Sequence, residues 1–511
     1  MFAALADYWR LMRAGMALVR HDVILPPVYK SRIPGAALLA GKVLRVFAGG
    51  AKGRPGERLA TALEKLGPAY IKLGQFVATR PDVFGVETTT DLGRLKDKLP
   101  SFAESRARKA LEAEFEAGPA NELFGDLGPA VAAASLAQVH KVEMETGIKA
   151  VKILRPGVED AIRLELRAMK RAAATVEKRS VQSRRMEPVA FVNTVAESME
   201  KELDLTLEAG GADEMRALSA KDGYFVVPEV DWDRSGKRVL TTAWVAGTPF
   251  TDPEVFNRVG LDRVSLANDV TRGFLSHAIR HGVFHADMHE GNMILTPEGK
   301  IALVDFGIIG RIGMNERRFL AEILWGFIRR DYHRIAEVHF EAGYVPPDKS
   351  VGDFAQALRA VGEPIHGKSA EDVSMGRLLL QLLDYTNQFG MHLRPELVLL
   401  QKTMVQVEGV ARSIDLAHDI WAAAEPIVSD WVKTEFGPQG AAKLIATNVR
   451  EVADRLKRLP QMMDRLEEAV QKTASPDPAP APAKPFAPWW AWFGFVIILA
   501  LIVYAAYVSA N

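Results

Sequence analysis

Residues 284–307, from Phe284 to Gly307, read FHADMHEGNMILTPEGKIALVDFG. Asp287 is followed five positions later by Asn292. Asp305 comes eighteen positions after Asp287 and opens an Asp-Phe-Gly triplet. Between them, Met293–Leu295 and Ile301–Val304 read as two short apolar strands joined by the turn-forming Pro297-Glu298-Gly299. A hairpin of that size holds Asn292 and Asp305 on one rim.

An acid that handles an acceptor proton, an amide on a metal ion and a second acid on Mg²⁺ follow one another in this order in the catalytic loop of a protein kinase. Spacing and strands together point to phosphoryl-transfer chemistry, with Asp287 catalytic and Asn292 and Asp305 on the metal. His285, Asp287 and His289 also spell the HxDxH cluster of a metal-dependent hydrolase. That reading needs further ligands at matching spacing, and none is evident.

Working upstream, Lys152 lies in the strand-like run IKAVKI at Ile148–Ile153. A kinase carries its nucleotide lysine on such a strand, paired with the α- and β-phosphates. Just before it comes Val131-Ala132-Ala133-Ala134-Ser135-Leu136-Ala137-Gln138-Val139, where a kinase would have a glycine-rich phosphate loop. Alanines keep the loop small, but their Cβ atoms restrict the backbone. The same run also reads as the start of an Ala-rich helix, whose N-terminus would itself attract phosphate. The nucleotide lysine needs an orienting carboxylate, and KELDLTLEA at Lys201–Ala209 offers Glu202, Asp204 and Glu208. Glu202 and Glu208 are six apart and do not share a helix face, so one meets Lys152 and the other meets something else. Ala286 stands where a kinase has the arginine of its His-Arg-Asp triplet, and no Ala-Pro-Glu follows Asp305. Both losses speak against an ordinary protein kinase.

The 511 residues suffice for a bilobal domain with extensions. Lys+Arg and Asp+Glu are both 64, so no global basic field points to nucleic acid. Cysteine is absent, which excludes disulfides, thiolate metal sites and cysteine catalysis. Asp7, Arg10 and Arg13 interrupt the N-terminal apolar run, which is therefore no secretory signal. Ala487–Ser509 is uncharged, with Trp489, Trp490 and Trp492 at one edge and Tyr504 and Tyr507 toward the other. This predicts a single C-terminal transmembrane helix at 487–509. Lys472 and Lys484 precede it, so the positive-inside rule places the bulk of the chain in the cytoplasm.

The pattern predicts a helical N-terminal extension over 1–120, an N-lobe over 121–246 and a mostly helical C-lobe over 247–440. Ser101 and Glu104 resemble a capping box opening a helix over Ser101–Glu116. Strands are expected at Val139–Glu143, Lys149–Leu154 and Val239–Val245, and helices at Asp160–Lys178 and Pro188–Ala209. Ile445, Val449, Val452, Leu456, Leu459, Met463, Leu466 and Val470 form a coiled-coil-like seam in an amphipathic segment, 441–473, which permits a homodimer. A Pro/Ala linker, 474–486, leads to the apolar segment.

These motifs together resemble the UbiB family, the atypical kinase-like ATPases of ubiquinone biosynthesis. Lys72-Leu73-Gly74-Gln75 resembles that family's KxGQ motif, Ala132–Ser135 with Gln138-Val139-His140 its Ala-rich loop, and Glu202-Leu203-Asp204 its ExD motif. FHADMHEGN and VDFG resemble its catalytic and metal loops. The likeness covers roughly residues 5–440. Glu290 departs from it, standing where the family more often has proline, and one C-terminal span is present where members often show two. The resemblance implies an α+β, bilobal kinase-like fold with Lys72 and Gln75 lining the active site and disfavouring protein phosphorylation. It also implies ATP and Mg²⁺ as cofactors, and a place on the bacterial inner membrane. ATP hydrolysis or phosphorylation of a small or lipid molecule would then support ubiquinone assembly. Membrane lipid, hydrophobic quinone precursors and other ubiquinone-biosynthesis proteins are the implied partners. A second expectation is an ATP-switched lipid-binding scaffold whose turnover is incidental.

Overall fold

A computed structural model describes residues 2–23, 53–78, 86–93, 95, 100–179, 188–363, 388–391 and 395–436. The seam at 445–470, the Pro/Ala linker and the apolar segment at 487–509 lie outside these. Among the described residues no helix is long and apolar enough to cross a membrane.

The chain opens with helices α1 (Phe2–Arg20), α2 (Pro55–Leu66), α3 (Pro68–Ala78) and α4 (Val86–Leu92). Helices α5 (Glu104–Phe115) and α6 (Ala117–Phe124) follow. Strands β1 (Ala130–Ala133), β2 (Ala137–Met144) and β3 (Gly147–Leu154) come next, then helices α7 (Val158–Arg179), α8 (Pro188–Glu202) and α9 (Leu205–Asp222). After β4 (Phe225–Val226), strand β5 (Val239–Ala243) completes an antiparallel sheet of order β1-β2-β3-β5.

Strand period 2 decides what this sheet does. Val151 and Ile153 of β3 point to one face, where with Val142 and Val239 they pack against Ala107, Leu111 and Phe124 of α5 and α6. Each fully buried aliphatic side chain there is worth about 1.5–3 kcal/mol. Lys152, between them, must point to the other face, toward α9. A one-residue slip of register would exchange the lysine for a valine. The β2–β3 register, with Val139 opposite Lys152 and Met144 opposite Gly147, closes at Gly147 with φ +105°.

The alanine-rich run forms the β1–β2 hairpin and not the start of a helix. Arg155 closes its tip, donating to the Ala134 carbonyl through Nε at 3.0 Å and Nη2 at 2.8 Å. The expected capping box at Ser101 does not form. Helix α5 starts at Glu104 after Ala103, without a side-chain cap. The cause is distant in sequence: buried Gln138 accepts from the Phe102 N–H at 2.8 Å and donates to its carbonyl at 3.3 Å, holding the chain extended there. The helix expected over Pro188–Ala209 is two helices. Asp204 takes φ −118° and ψ 92°, and its carboxylate accepts from Thr206 N at 3.1 Å to cap α9.

The second half contains β6 (Thr248–Pro249), α10 (Arg263–Leu275), β7 (Val283–His285), β8 (Met293–Leu295), β9 (Ile301–Leu303) and β10 (Ile309–Arg311). Helices α11 (Met314–Arg329), α12 (Tyr332–Glu341), α13 (Val351–Gly362), α14 (Pro395–Ile414) and α15 (Ile420–Phe436) follow. The expected hairpin is β8–β9, with Met293 opposite Leu303 and Leu295 opposite Ile301, turning at Gly299 with φ +76°. It joins β4 and β6 in a mixed sheet of order β4-β9-β8-β6. Strands β7 and β10 pair antiparallel beside it. Helix α10 packs on α14 and α15. Arg263 Nε binds the Ile414 carbonyl at 2.6 Å, and Thr271 Oγ1 meets His418 Nε2 at 3.0 Å.

Candidate active site

The β8–β9 hairpin sets the rim. Val304 N donates to the Asn292 carbonyl at 3.0 Å, which fixes Asn292 and Asp305 at the same end of the two strands. Asp305 then turns the chain with φ +63°, a conformation rare for a side chain with a Cβ. Phe306, which follows it, is buried edge-to-face on His285 with ring centroids 5.3 Å apart.

Asp305 meets Lys152 Nζ at 3.3 Å, and Glu208 of α9 takes the same ammonium with both oxygens, at 2.8 and 2.9 Å. Burial alone would lower the pKa of Lys152, but the carboxylates of Asp305 and Glu208 more than offset this and raise it. The Lys152 charge holds Asp305 below the usual carboxylate range. Burial raises Glu208, with Lys152 pulling against the rise. The choice between Glu202 and Glu208 is thus resolved in geometry: Glu208 pairs with Lys152, and Glu202 pairs with Lys72 of α3, Nζ to Oε2 2.6 Å. The break at Asp204 allows this, because the two glutamates belong to different helices. Gln75 lies one turn beyond Lys72 on α3.

Asp287 sits after β7, whose strand pairing continues in the bond from Ala286 N to the Ile308 carbonyl at 3.0 Å. Asn292 Nδ2 donates to the Asp287 carbonyl at 3.0 Å. With its amide nitrogen so engaged, Asn292 keeps its side-chain oxygen as an acceptor. Three further groups converge on the Asp287 carboxylate. Lys402 Nζ and Gln406 Nε2, both from α14, donate to Oδ1 at 3.0 and 3.1 Å. His289 Nε2 faces Oδ2 at 3.4 Å. His289 Nδ1 accepts from Gly291 N at 3.0 Å, so the proton on this ring lies toward Asp287. Burial works to raise Asp287, but the bond from His289 and the Lys402 charge overcome it and hold the group far below the usual carboxylate range. In return the Asp287 hydrogen bond raises the pKa of His289. Thr403 Oγ1 reaches the Ala286 carbonyl at 3.2 Å.

Sequence reasoning missed this α14 contribution. Its trace is present: Lys402, Thr403 and Gln406 put polar groups one turn apart on a helix otherwise rich in Leu and Val. The HxDxH reading does not hold. His285 is buried with both nitrogens committed, Nδ1 accepting from Asp287 N at 3.1 Å and Nε2 donating to the Val304 carbonyl at 3.3 Å. Among the described residues no group of three or more His, Cys, Asp or Glu side chains is placed to hold a metal.

In the alanine loop, Ser135, Leu136, Ala137 and Gln138 are buried, whereas Val131 and Ala132 are exposed. The Gln138 amide serves Phe102 and His140 and is not open to a ligand. For Mg²⁺ the donor set fits: a half-exposed carboxylate on Asp305 and an amide oxygen on Asn292 are the hard oxygens that ion takes, one or two from protein and the rest from phosphate and water.

The chain matches the ABC1 atypical kinase-like domain over residues 94–339 and the UbiB helical domain over residues 358–419. It is similar to the probable protein kinase UbiB of Marinobacter nauticus, with 36% identity over 414 residues, covering 80% of this chain and 76% of that protein. Among solved structures it is similar to Rv3197 of Mycobacterium tuberculosis, determined in complex with erythromycin. The TM-score is 0.50 at 23% identity, over 77% of this chain and 97% of the other, a likeness of fold alone.

Proposed function

Since the chain belongs to the UbiB family, joining an ABC1 atypical kinase-like domain to a UbiB helical domain, we propose that it is a membrane-anchored atypical kinase-like ATPase. Its phosphoryl acceptor is water or a non-protein molecule, and its role is in ubiquinone biosynthesis. The observation that carries the proposal is the junction at Lys152, which unites β3, α9 and the Asp-Phe-Gly turn through Glu208 and Asp305. Lys152 would bind the nucleotide phosphates and Glu208 would orient it. Asn292 and Asp305 would hold magnesium, which when bound neutralises charge on the transferring phosphoryl group. Asp287 would orient the acceptor hydroxyl. Lys72 and Gln75 would line the site from α3. The uncharged 487–509 segment would anchor the chain in the bacterial inner membrane, with the catalytic part cytoplasmic, where hydrophobic quinone precursors are found.

The test is phosphate release by the purified full chain with Mg²⁺-ATP, with and without liposomes and a simple phenol, beside Asp287→Asn and Asp305→Asn. Release that rises with lipid and phenol and vanishes in both variants supports the proposal. Intact turnover in Asp305→Asn refutes the assignment of that residue. A second reading, an ATP-switched lipid-binding scaffold with incidental turnover, is favoured by the alanines that stand in place of a glycine-rich loop in the β1–β2 hairpin. ATP binding without phosphate release under any of these conditions would select it.

A further inference from the structure

Helix α1 has two opposed apolar faces. Leu11, Ala14 and Leu18 are buried, at 2%, 5% and 3% exposure, and Leu11 packs on Ala168 and Ala172 of α7. Leu5, Trp9, Met12 and Met16 are exposed, at 43%, 57%, 43% and 37%. At about 100° per residue, these four positions fall within an arc of about 60°, opposite the buried face. A surface helix needs only the first of these faces to hold it to its domain.

The charges on α1 are equally sorted. Its one acid, Asp7, is fully buried beneath Arg167 and Arg171, which it binds at 2.8 and 3.0 Å. Its three basic residues are Arg10, Arg13 and Arg20. Arg13 and Arg20 lie along one edge of the exposed stripe, and both are exposed. Arg13 reaches Glu165 at 2.7 Å while remaining 43% open to solvent. The outward face therefore offers apolar side chains with a tryptophan among them, a basic edge and no acid.

We propose that this face of α1 docks on an anionic lipid surface, lying in the plane of the interface. A partner protein would be met as well by an apolar stripe alone. A bilayer is the partner that takes Leu, Met and Trp into its acyl boundary while anionic headgroups meet flanking arginines. The uncharged, aromatic-flanked 487–509 segment at the other end of the chain would hold the protein at such a surface. This inference is independent of the phosphoryl-transfer reading.

The chain contains no cysteine, so single-cysteine variants of the full chain take one label each. Trp9→Cys, Met12→Cys and, as a control, Val259→Cys at a position 99% exposed and remote in sequence would carry an environment-sensitive fluorophore. Each would be reconstituted in phosphatidylglycerol/phosphatidylethanolamine vesicles containing doxyl-labelled lipid. The expected result is blue-shifted emission quenched at least twofold at positions 9 and 12, and neither effect at 259. Weaker quenching is expected in pure phosphatidylcholine. A blue shift at 9 and 12 without lipid quenching would mean that protein covers the stripe, and would overturn the proposal. So would unshifted emission at both positions on vesicles shown by flotation to carry the protein, or failure of the full chain to float. Equal quenching in both lipids would overturn the role of the arginines.

Discussion

Lys72 and Glu202 meet at 2.6 Å and tie α3, in the N-terminal helices, to the last residue of α8, three residues before the helix that carries Glu208. Both side chains are largely shielded, at 15% and 17% exposure. The pair is therefore a join between the extension and the scaffold of the candidate site. In a double-mutant cycle, Lys72→Ala and Glu202→Ala should show a coupling of about 0.5–3 kcal/mol in thermal or urea unfolding. Additive effects would mean that the join carries no energy.

Lys152 faces two carboxylates. Lys152→Met leaves Glu208 buried beside Asp305 with no neutralising charge, so the loss should exceed that of an ordinary surface lysine. About 3–5 kcal/mol is expected when one partner of a buried pair is removed. Glu208→Gln keeps the shape and leaves Asp305 as partner, so it should cost less stability while weakening ATP binding. Titration with a fluorescent nucleotide beside thermal melts separates the two effects.

Lys402→Met and Gln406→Ala remove donors from Asp287 without touching Lys152, Asn292 or Asp305. Phosphate release should fall by about tenfold or more in Lys402→Met, the loss expected when an orienting contact at a reacting group is removed. Nucleotide affinity should be unchanged, and Gln406→Ala should fall less. A parallel loss of nucleotide affinity would show that α14 supports the whole cleft and not Asp287 alone.

Asp287 has a depressed pKa in the folded chain, so its ionised form adds stability that is present above the unfolded value of 3.8 and is lost as pH falls through the lower folded value. His289 has a raised pKa, so its contribution is present below the unfolded value of 6.5 and is lost as pH rises through the higher folded value. Their joint contribution is complete between roughly pH 4 and 6.5. Asp287→Asn should be destabilised relative to the parent by about 1–3 kcal/mol at pH 6, the range for hydrogen bonds to a charged group. The gap should start to narrow below about pH 3.8 and go on shrinking as pH falls toward the lower folded value. A gap independent of pH in urea melts would contradict the assignment.

Asp204 caps α9, so Asp204→Ala should cost about 0.5–2 kcal/mol. Because Glu208 lies in the first turn of that helix, the variant should also weaken nucleotide binding. Asp204→Ser should restore both.

The hairpin around Asn292 and Asp305 and the strand bearing Lys152 were legible because both rest on local signals, short apolar runs and, in the hairpin, a glycine turn. The break at Leu203-Asp204 was not, since the run from Pro188 to Ala209 keeps a helical composition and the stop is made by a single cap. Nor was the failure of the Ser101 box, beside which Phe102 is held by Gln138, 36 residues further on. Choosing between Glu202 and Glu208 needs the angle between two helices. Lys402 acts on Asp287 across 115 positions, a distance at which one sequence carries no register.

Helix α14 has a practical consequence for dissecting the chain. The ABC1 segment ends at residue 339, whereas Lys402, Thr403 and Gln406 lie in the UbiB helical segment, 358–419. A fragment stopped between the two would display every kinase-like motif in its text while Asp287 stood without the lysine and glutamine that donate to its carboxylate. For this protein, possession of the motifs and possession of the whole candidate site are different properties, and the second draws on both modules together.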